Sequence, residues 1–212
     1  MNINDITNFE EKEKIAEKII NNVKNNQTIG FGSGTTSYIM CMKIAEKTKK
    51  ENLNIKAVTT SDEIENFCKE NDIETISLSE ATIDWAFDGA DEIDEKGNMI
   101  KGLGRAMFRE KLNILSSPKT YILADHTKFV KEIGKKNPVP VEVFPSALKY
   151  VSEKLKEIGA NETIFRGMTD NNNAILDAKF NMIENTLEKK IKLIPGVIES
   201  GLFIGYNIEI IK

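Results

Sequence analysis

Residues 84–111 read DWAFDGADEIDEKGNMIKGLGRAMFREK, and the rest of the chain is organised around them. The apolar run Ile83–Phe87 fits a buried strand that delivers Asp88 and Asp91 into a glycine-containing turn. A second acidic pair, Glu92 and Asp94, follows. Lys101 then precedes the loop Gly102–Leu103–Gly104, which leads into a helix-like segment carrying Arg109, Glu110 and Lys111. Ionisable groups crowded at a strand end and a glycine-broken loop are costly for the fold, so such crowding marks a site more often than a solvated face. The stretch is expected to place Glu110, Asp88, Asp91 and Lys101 around one small anionic molecule.

Upstream, the apolar residues between Asn8 and Val23 recur at helical spacing. Gln27–Phe31 reads as a strand that stops at Gly32-Ser33-Gly34-Thr35-Thr36, and helical spacing resumes from Ser37 to Ala45. Strand, glycine turn and helix can aim free backbone N–H groups at a phosphate, with Ser33, Thr35 and Thr36 adding hydroxyls. The same pattern also describes an ordinary turn with a Ser/Thr helix cap. It fits neither a Walker A loop nor G-x-G-x-x-G. Ile55–Thr59, Glu74–Leu78 and Tyr121–Ala124 read as further strands. Strands alternating with helices imply βαβ units and a largely parallel sheet, whose ligands bind beyond the carboxyl strand ends. Asp125-His126-Thr127-Lys128 follows one such end, which makes Lys128 another candidate donor. His126 reads either as a general base or as a plain solvated turn residue.

Downstream, Gly134–Pro140 punctuates the chain with turn residues. Beyond it, strands at 141–144, 163–166 and 174–180 and helices at 147–158 and 183–190 make a small α+β unit. The expected division is one domain over 1–134 and 203–212, and a second over 135–202.

Composition narrows the function. The 212 residues are 40% apolar and 29% charged, as in a globular protein. A net charge of −4 argues against a nucleic-acid binder. Cys41 and Cys68 read as reduced, buried thiols. With His126 the single histidine and no Cys-x-x-Cys, the composition argues against an ordinary zinc site. The Asp88, Asp91, Glu92 and Asp94 cluster leaves carboxylate-bound Mg²⁺ as a minor alternative, and the expectation is no metal. No run reaches a membrane span, and the chain is expected in the cytoplasm.

Several stretches together resemble the A-type ribose-5-phosphate isomerases: GFGSGTTS at 30–37, TTSDE at 59–63, DGADEID at 88–94, KGLGRAMFREK at 101–111 and ADHTK at 124–128. PVPVEVFP at 138–145, TDNNNAILD at 169–177 and IPGVIESGLF at 194–203 continue the match in order. The resemblance implies an α/β fold: a Rossmann-like, largely parallel sheet with a small ferredoxin-like α+β domain inserted before the C-terminal strands. It also implies no cofactor, a homodimer or homotetramer, and interconversion of ribose 5-phosphate and ribulose 5-phosphate in the pentose phosphate pathway. By the same match Glu110 is the general acid/base, with Asp88, Asp91 and Lys101 as catalytic partners. Ser33, Gly34, Thr35, Thr36, Gly89, Ala90, Gly102, Leu103, Gly104, Lys128 and Lys12 join them in binding the sugar phosphate. Leu103 stands where the family has glycine, and Arg105 where it has a small residue. A Cβ at 103 is expected to restrict φ > 0 and close space; Arg105 either pairs with the phosphate or shifts the pocket.

The chemistry fits these residues. Moving a proton between C2 and C1 through an enediol(ate) asks for one carboxylate that faces both carbons. Two other classes stay open: a non-catalytic sugar-phosphate sensor, suggested by Leu103 and Arg105, and a CoA transferase with a glutamate nucleophile.

Overall fold

The parallel strands are short apolar runs closed by glycine or a polar residue, and the helices between them carry single apolar stripes. In the computed structural model, which describes residues 3–80 and 82–212, the strands are β1 Thr28–Phe31, β2 Lys56–Thr59, β3 Glu74–Thr75, β4 Trp85–Gly89, β5 Glu92–Ile93, β6 Met99–Ile100 and β7 Thr120–Leu123. They continue as β8 Val139–Val143, β9 Ala160–Met168, β10 Ala174–Phe180, β11 Val197–Ser200, β12 Leu202–Phe203 and β13 Glu209–Ile211. The helices are α1 Phe9–Ile19, α2 Gly34–Glu51, α3 Asp62–Glu70, α4 Met107–Ser116, α5 Leu148–Glu157 and α6 Leu187–Lys192. No described helix is long and apolar enough to cross a membrane.

The chain forms two units, Met1–Gly89 with Arg109–Thr127 and Ile208–Lys212, and Ala90–Phe108 with Lys128–Asn207. The first carries a six-stranded sheet in the order β13-β7-β4-β1-β2-β3, every pair parallel. Counted within this sheet the order is 3-2-1-4-5-6, the Rossmann arrangement, which reverses direction between β1 and β4. Trp85–Asp88 and all of β7 are buried, as strands covered on both faces require. Phe31 and Phe87 meet across the β1–β4 pair with ring centroids 5.1 Å apart. Each such buried ring contributes about 2–3 kcal/mol of apolar burial. Cys41 and Cys68 lie in this core as unbridged thiols, and burial pushes both up, Cys68 to about 12.

The second unit holds two antiparallel sheets, β12-β6-β5 and β11-β8-β10-β9. The connectivity β8-α5-β9-β10-α6-β11 with strand order 4-1-3-2 is ferredoxin-like. Its core gathers Val139, Val141, Val143, Val151, Leu155 and Leu176. The chain then returns through β13 to pair with β7. The fold is therefore α/β with an inserted α+β module, as the motif match implied.

Some boundaries differ from the sequence reading. β4 runs to Gly89, so Asp88 is the penultimate residue of a strand instead of opening a turn. The Pro138–Pro140 punctuation contains the start of β8. β3 stops at Thr75, and α6 begins four residues later than its apolar spacing suggested.

Candidate active site

In the first unit the carboxyl ends of β1 and β4 are neighbours at the point where strand order reverses, where doubly wound sheets bind ligands. Glycine makes that closeness possible. A Cβ on Gly32 would lie 2.3 Å from Asp88 Oδ1 and 2.5 Å from Asp88 Cα. Beyond Gly32 the chain passes Ser33 and enters α2 at Gly34, whose φ of +82° suits only glycine at low cost.

Asp88 is 2% exposed at the end of β4. Its Oδ1 accepts the N–H of Gly89 at 2.7 Å, the N–H of Ser33 at 3.2 Å and the Ser37 hydroxyl at 3.4 Å. Glu110, on α4, is 4% exposed, and its Oε1 accepts the Ser33 hydroxyl at 2.8 Å. Ser33 thus links two buried carboxylates. Its hydroxyl does not cap α2, the role that local sequence offered as the plain alternative. The flanking Arg109 turns aside to pair with Asp62 at 2.8 Å. Glu110 and Lys111 are both buried, so the Arg109-Glu110-Lys111 run is no solvated charge strip.

A second cluster in this unit surrounds the first turn of α2. Lys12 on α1 is 3% exposed; its Nζ donates to Thr35 Oγ1 at 2.9 Å and lies 3.6 Å from Asp125 Oδ2. A buried ammonium beside a helix N-terminus suits an anion. Asp125 holds Thr127 through that residue's N–H and hydroxyl. His126 is exposed and gives its N–H to Glu11 Oε1 at 2.8 Å, while its Nδ1 meets Glu11 Oε2 at 2.7 Å. The His126 N–H, then its ring, hold the Glu11 carboxyl below its ordinary range. Glu11, Asp125 and His126 each bring a ligand-type atom within 4.8 Å of the others. Lys12 already sets a positive charge against Asp125.

In the second unit Asp91 Oδ2 accepts the Leu103 N–H at 2.9 Å. Lys101 is 2% exposed; its N–H donates to Gly201 O at 2.9 Å and its Nζ stands 5.8 Å from the centre of the Phe203 ring. The glycine loop takes positive φ at Gly102 (+96°) and Arg105 (+65°), and Leu103 is not among the positive-φ residues. The strain expected from a Cβ at 103 is therefore absent. Arg105 donates from Nη1 to Met168 O at 3.2 Å, a brace within this unit. Gly104 is exposed, Ala90 buried and Lys128 half-buried. Glu92 and Asp94 serve the scaffold: Glu92 accepts the N–H groups of Gly134, Lys136 and Asn137, and Asp94 those of Lys96 and Asn98.

The geometry thus brings Ser33, Asp88 and Glu110 together in one unit, where Lys12 of α1 also meets Thr35 at the start of α2, and Asp91 with Leu103 in the other. Ser37 and Asp125 were not singled out in the sequence. Asp125 had a signal, an acid directly after the buried run Tyr121–Ala124; Ser37 had none beyond its place in the helix.

Comparison with known proteins fits this arrangement. The family model described as ribose 5-phosphate isomerase A (phosphoriboisomerase A) matches residues 56–211. The ribose-5-phosphate isomerase A of Prochlorococcus marinus is 39% identical, covering 94% of this chain and 90% of its own. The solved structure of ribose 5-phosphate isomerase A from Methanocaldococcus jannaschii superposes with a TM-score of 0.91 at 33% identity, over 97% of this chain and 96% of that one. A D-ribose-5-phosphate isomerase solved in complex with phospho-erythronic acid gives 0.88 at 34% identity, over 97% and 93%.

Proposed function

The chain belongs to the ribose 5-phosphate isomerase A family, and from that premise we propose that it interconverts D-ribose 5-phosphate and D-ribulose 5-phosphate with Glu110 as the general acid/base. The observation that carries this reading is the buried Glu110 carboxylate, fixed by the Ser33 hydroxyl at the switch point of the parallel sheet. The structure with bound phospho-erythronic acid, an anionic C4 sugar acid phosphate, supports a sugar phosphate as substrate.

The proposed step needs no metal. The Glu110 carboxylate takes the C2 proton of the open-chain aldose, and the C2–H electron pair forms the C1–C2 double bond as the C1 carbonyl becomes an enediolate oxygen. Glu110 then returns the proton to C1 while the O2 proton moves to O1, giving the ketose. The Ser33 hydroxyl on Oε1 orients the carboxylate for the shuttle. Asp88, with three donors on Oδ1, is proposed to order the sugar hydroxyls together with Asp91, Gly89 and Ala90. Lys101 and the Gly102–Gly104 amides are proposed to hold the developing oxyanion. Ser33 to Thr36, Lys12 and Lys128 are proposed to hold the phosphate, supported by the Lys12–Thr35 bond at the start of α2.

Leu103 and Arg105, which favoured a binding-only sensor, lend it no support: one sits at ordinary φ and the other braces β9. Module boundaries at 1–134 with 203–212 and 135–202 are proposed, supported by the ferredoxin-like sheet lying wholly within the latter; the compact second unit around that sheet also takes in 90–108, 128–134 and 203–207. A cytoplasmic homodimer or homotetramer is proposed, supported by the exposed Phe144, Ile164, Phe165 and Met168 of the second unit. A coupled assay for ribulose 5-phosphate in the presence of chelator tests the function, and binding of ribose 5-phosphate without turnover would refute it.

A further inference from the structure

One guanidinium in the second unit holds the glycine loop from behind. In the β9–β10 ladder Phe165 opposes Leu176 and Gly167 opposes Ile175, so Arg166 is an extra residue between them, followed by Gly167 at φ +133°. A bulge of this kind re-aims a side chain. Arg166 Nε lies 2.7 Å from Asp177 Oδ2 on β10, an ion pair that tethers the guanidinium to that strand. Nη1 donates to the Leu103 carbonyl, and Nη2 donates to the Gly102 carbonyl at 3.1 Å.

The consequence for the loop follows from peptide planarity, because C=O and N–H of a trans peptide point in opposite directions. With the Gly102 carbonyl on Arg166, the Leu103 N–H points the other way, and there it meets Asp91. With the Leu103 carbonyl on the same guanidinium, the Gly104 N–H is likewise turned away from it. Gly104 is exposed, and a Cβ built on it would meet nothing within 4 Å, so the loop is uncrowded around its Cα. A cation at the carbonyl ends also polarises both peptides, which strengthens their N–H groups as donors.

We propose that Arg166, tethered by Asp177, is a positioning residue for the isomerisation: it aims the Gly104 amide at the substrate oxygen that becomes anionic and locks Asp91 through the Leu103 amide. The inference rests on the isomerase reading, and its test separates the two. Kinetics are compared for the native chain, Glu110→Gln, Arg166→Ala, Arg166→Lys and Asp177→Asn. Arg166→Ala is expected to lower kcat by about 30-fold with KM within about threefold, the scale of a misaimed oxyanion donor. Asp177→Asn is expected to lower kcat less, and Arg166→Lys, which keeps charge and stem but not the fork, is expected to keep its melting temperature and lose most of kcat. Should Arg166→Ala not fold, the lysine variant decides. Native kcat in the folded Arg166 variants, or a loss confined to KM, overturns the inference while an inactive Glu110→Gln leaves the isomerase reading standing. A native chain without turnover removes both.

Discussion

The Ser33 hydroxyl donates to Glu110 Oε1 at 2.8 Å, although the two residues are 77 positions apart in the chain. The serine opens α2, yet its side chain serves α4. Replacing Ser33 by Ala removes one hydrogen bond to a buried carboxylate without touching the backbone donor to Asp88. The fold should persist, and kcat should fall by about 10-fold, the worth of one charge-assisted hydrogen bond. Steady-state kinetics alongside thermal melting check this.

Gly32→Ala should be far more damaging. The new Cβ would overlap Asp88 backbone as well as side chain, so β1 and β4 must part at their carboxyl ends. A loss of about 2–3 kcal/mol in stability is expected from overpacking, and turnover should collapse with it. Denaturant unfolding measures the first and the coupled assay the second.

Leu103→Gly, by contrast, should change little. Positive φ falls on Gly102 and Arg105, so removing the Leu103 side chain relieves no backbone strain. Turnover within about threefold of native is expected; because glycine loses more entropy on folding, a slight drop in melting temperature should accompany it.

The main outline was legible because hydrophobic pattern and strand-end punctuation agree over the parallel sheet: the runs Gln27–Phe31, Ile55–Thr59 and Tyr121–Ala124 match the observed β1, β2 and β7 to within one residue at each end. β5 and β6 were not, since two-residue strands have no period to detect. The acidic crowd around Asp88 stands out in the sequence, but sequence proximity could not separate Asp88, held at a sheet end, from Glu92, spent on the 134–137 backbone. Ser33's partner was hidden because local sequence always offers a helix cap to a serine before a helix. Arg166 was hidden because its direction depends on a bulge that exists only once β9 and β10 are paired.

The Glu11–His126 contact makes a pH prediction. His126 lowers the Glu11 carboxyl from its ordinary 4.5. A depressed carboxylate contributes stability that is present above its unfolded pKa and is lost as pH falls through the lowered folded value. His126→Ala removes the ring but keeps the backbone N–H, so Glu11 should rise only part of the way toward its ordinary value and the acid-side dependence should shrink without vanishing, as carboxyl-carbon NMR titration of Glu11 would record. Both groups are exposed or partly so, and added salt should weaken the effect.

The central claim is that one buried carboxylate carries the proton between C2 and C1. The most direct measurement is kcat of Glu110→Gln for conversion of ribose 5-phosphate to ribulose 5-phosphate, with folding verified by circular dichroism. The account predicts a fall of about 10³-fold or more with substrate still bound, as loss of the general base requires. A folded Glu110→Gln protein within about 10-fold of native turnover would contradict it, since no general base of that weight could then reside at position 110.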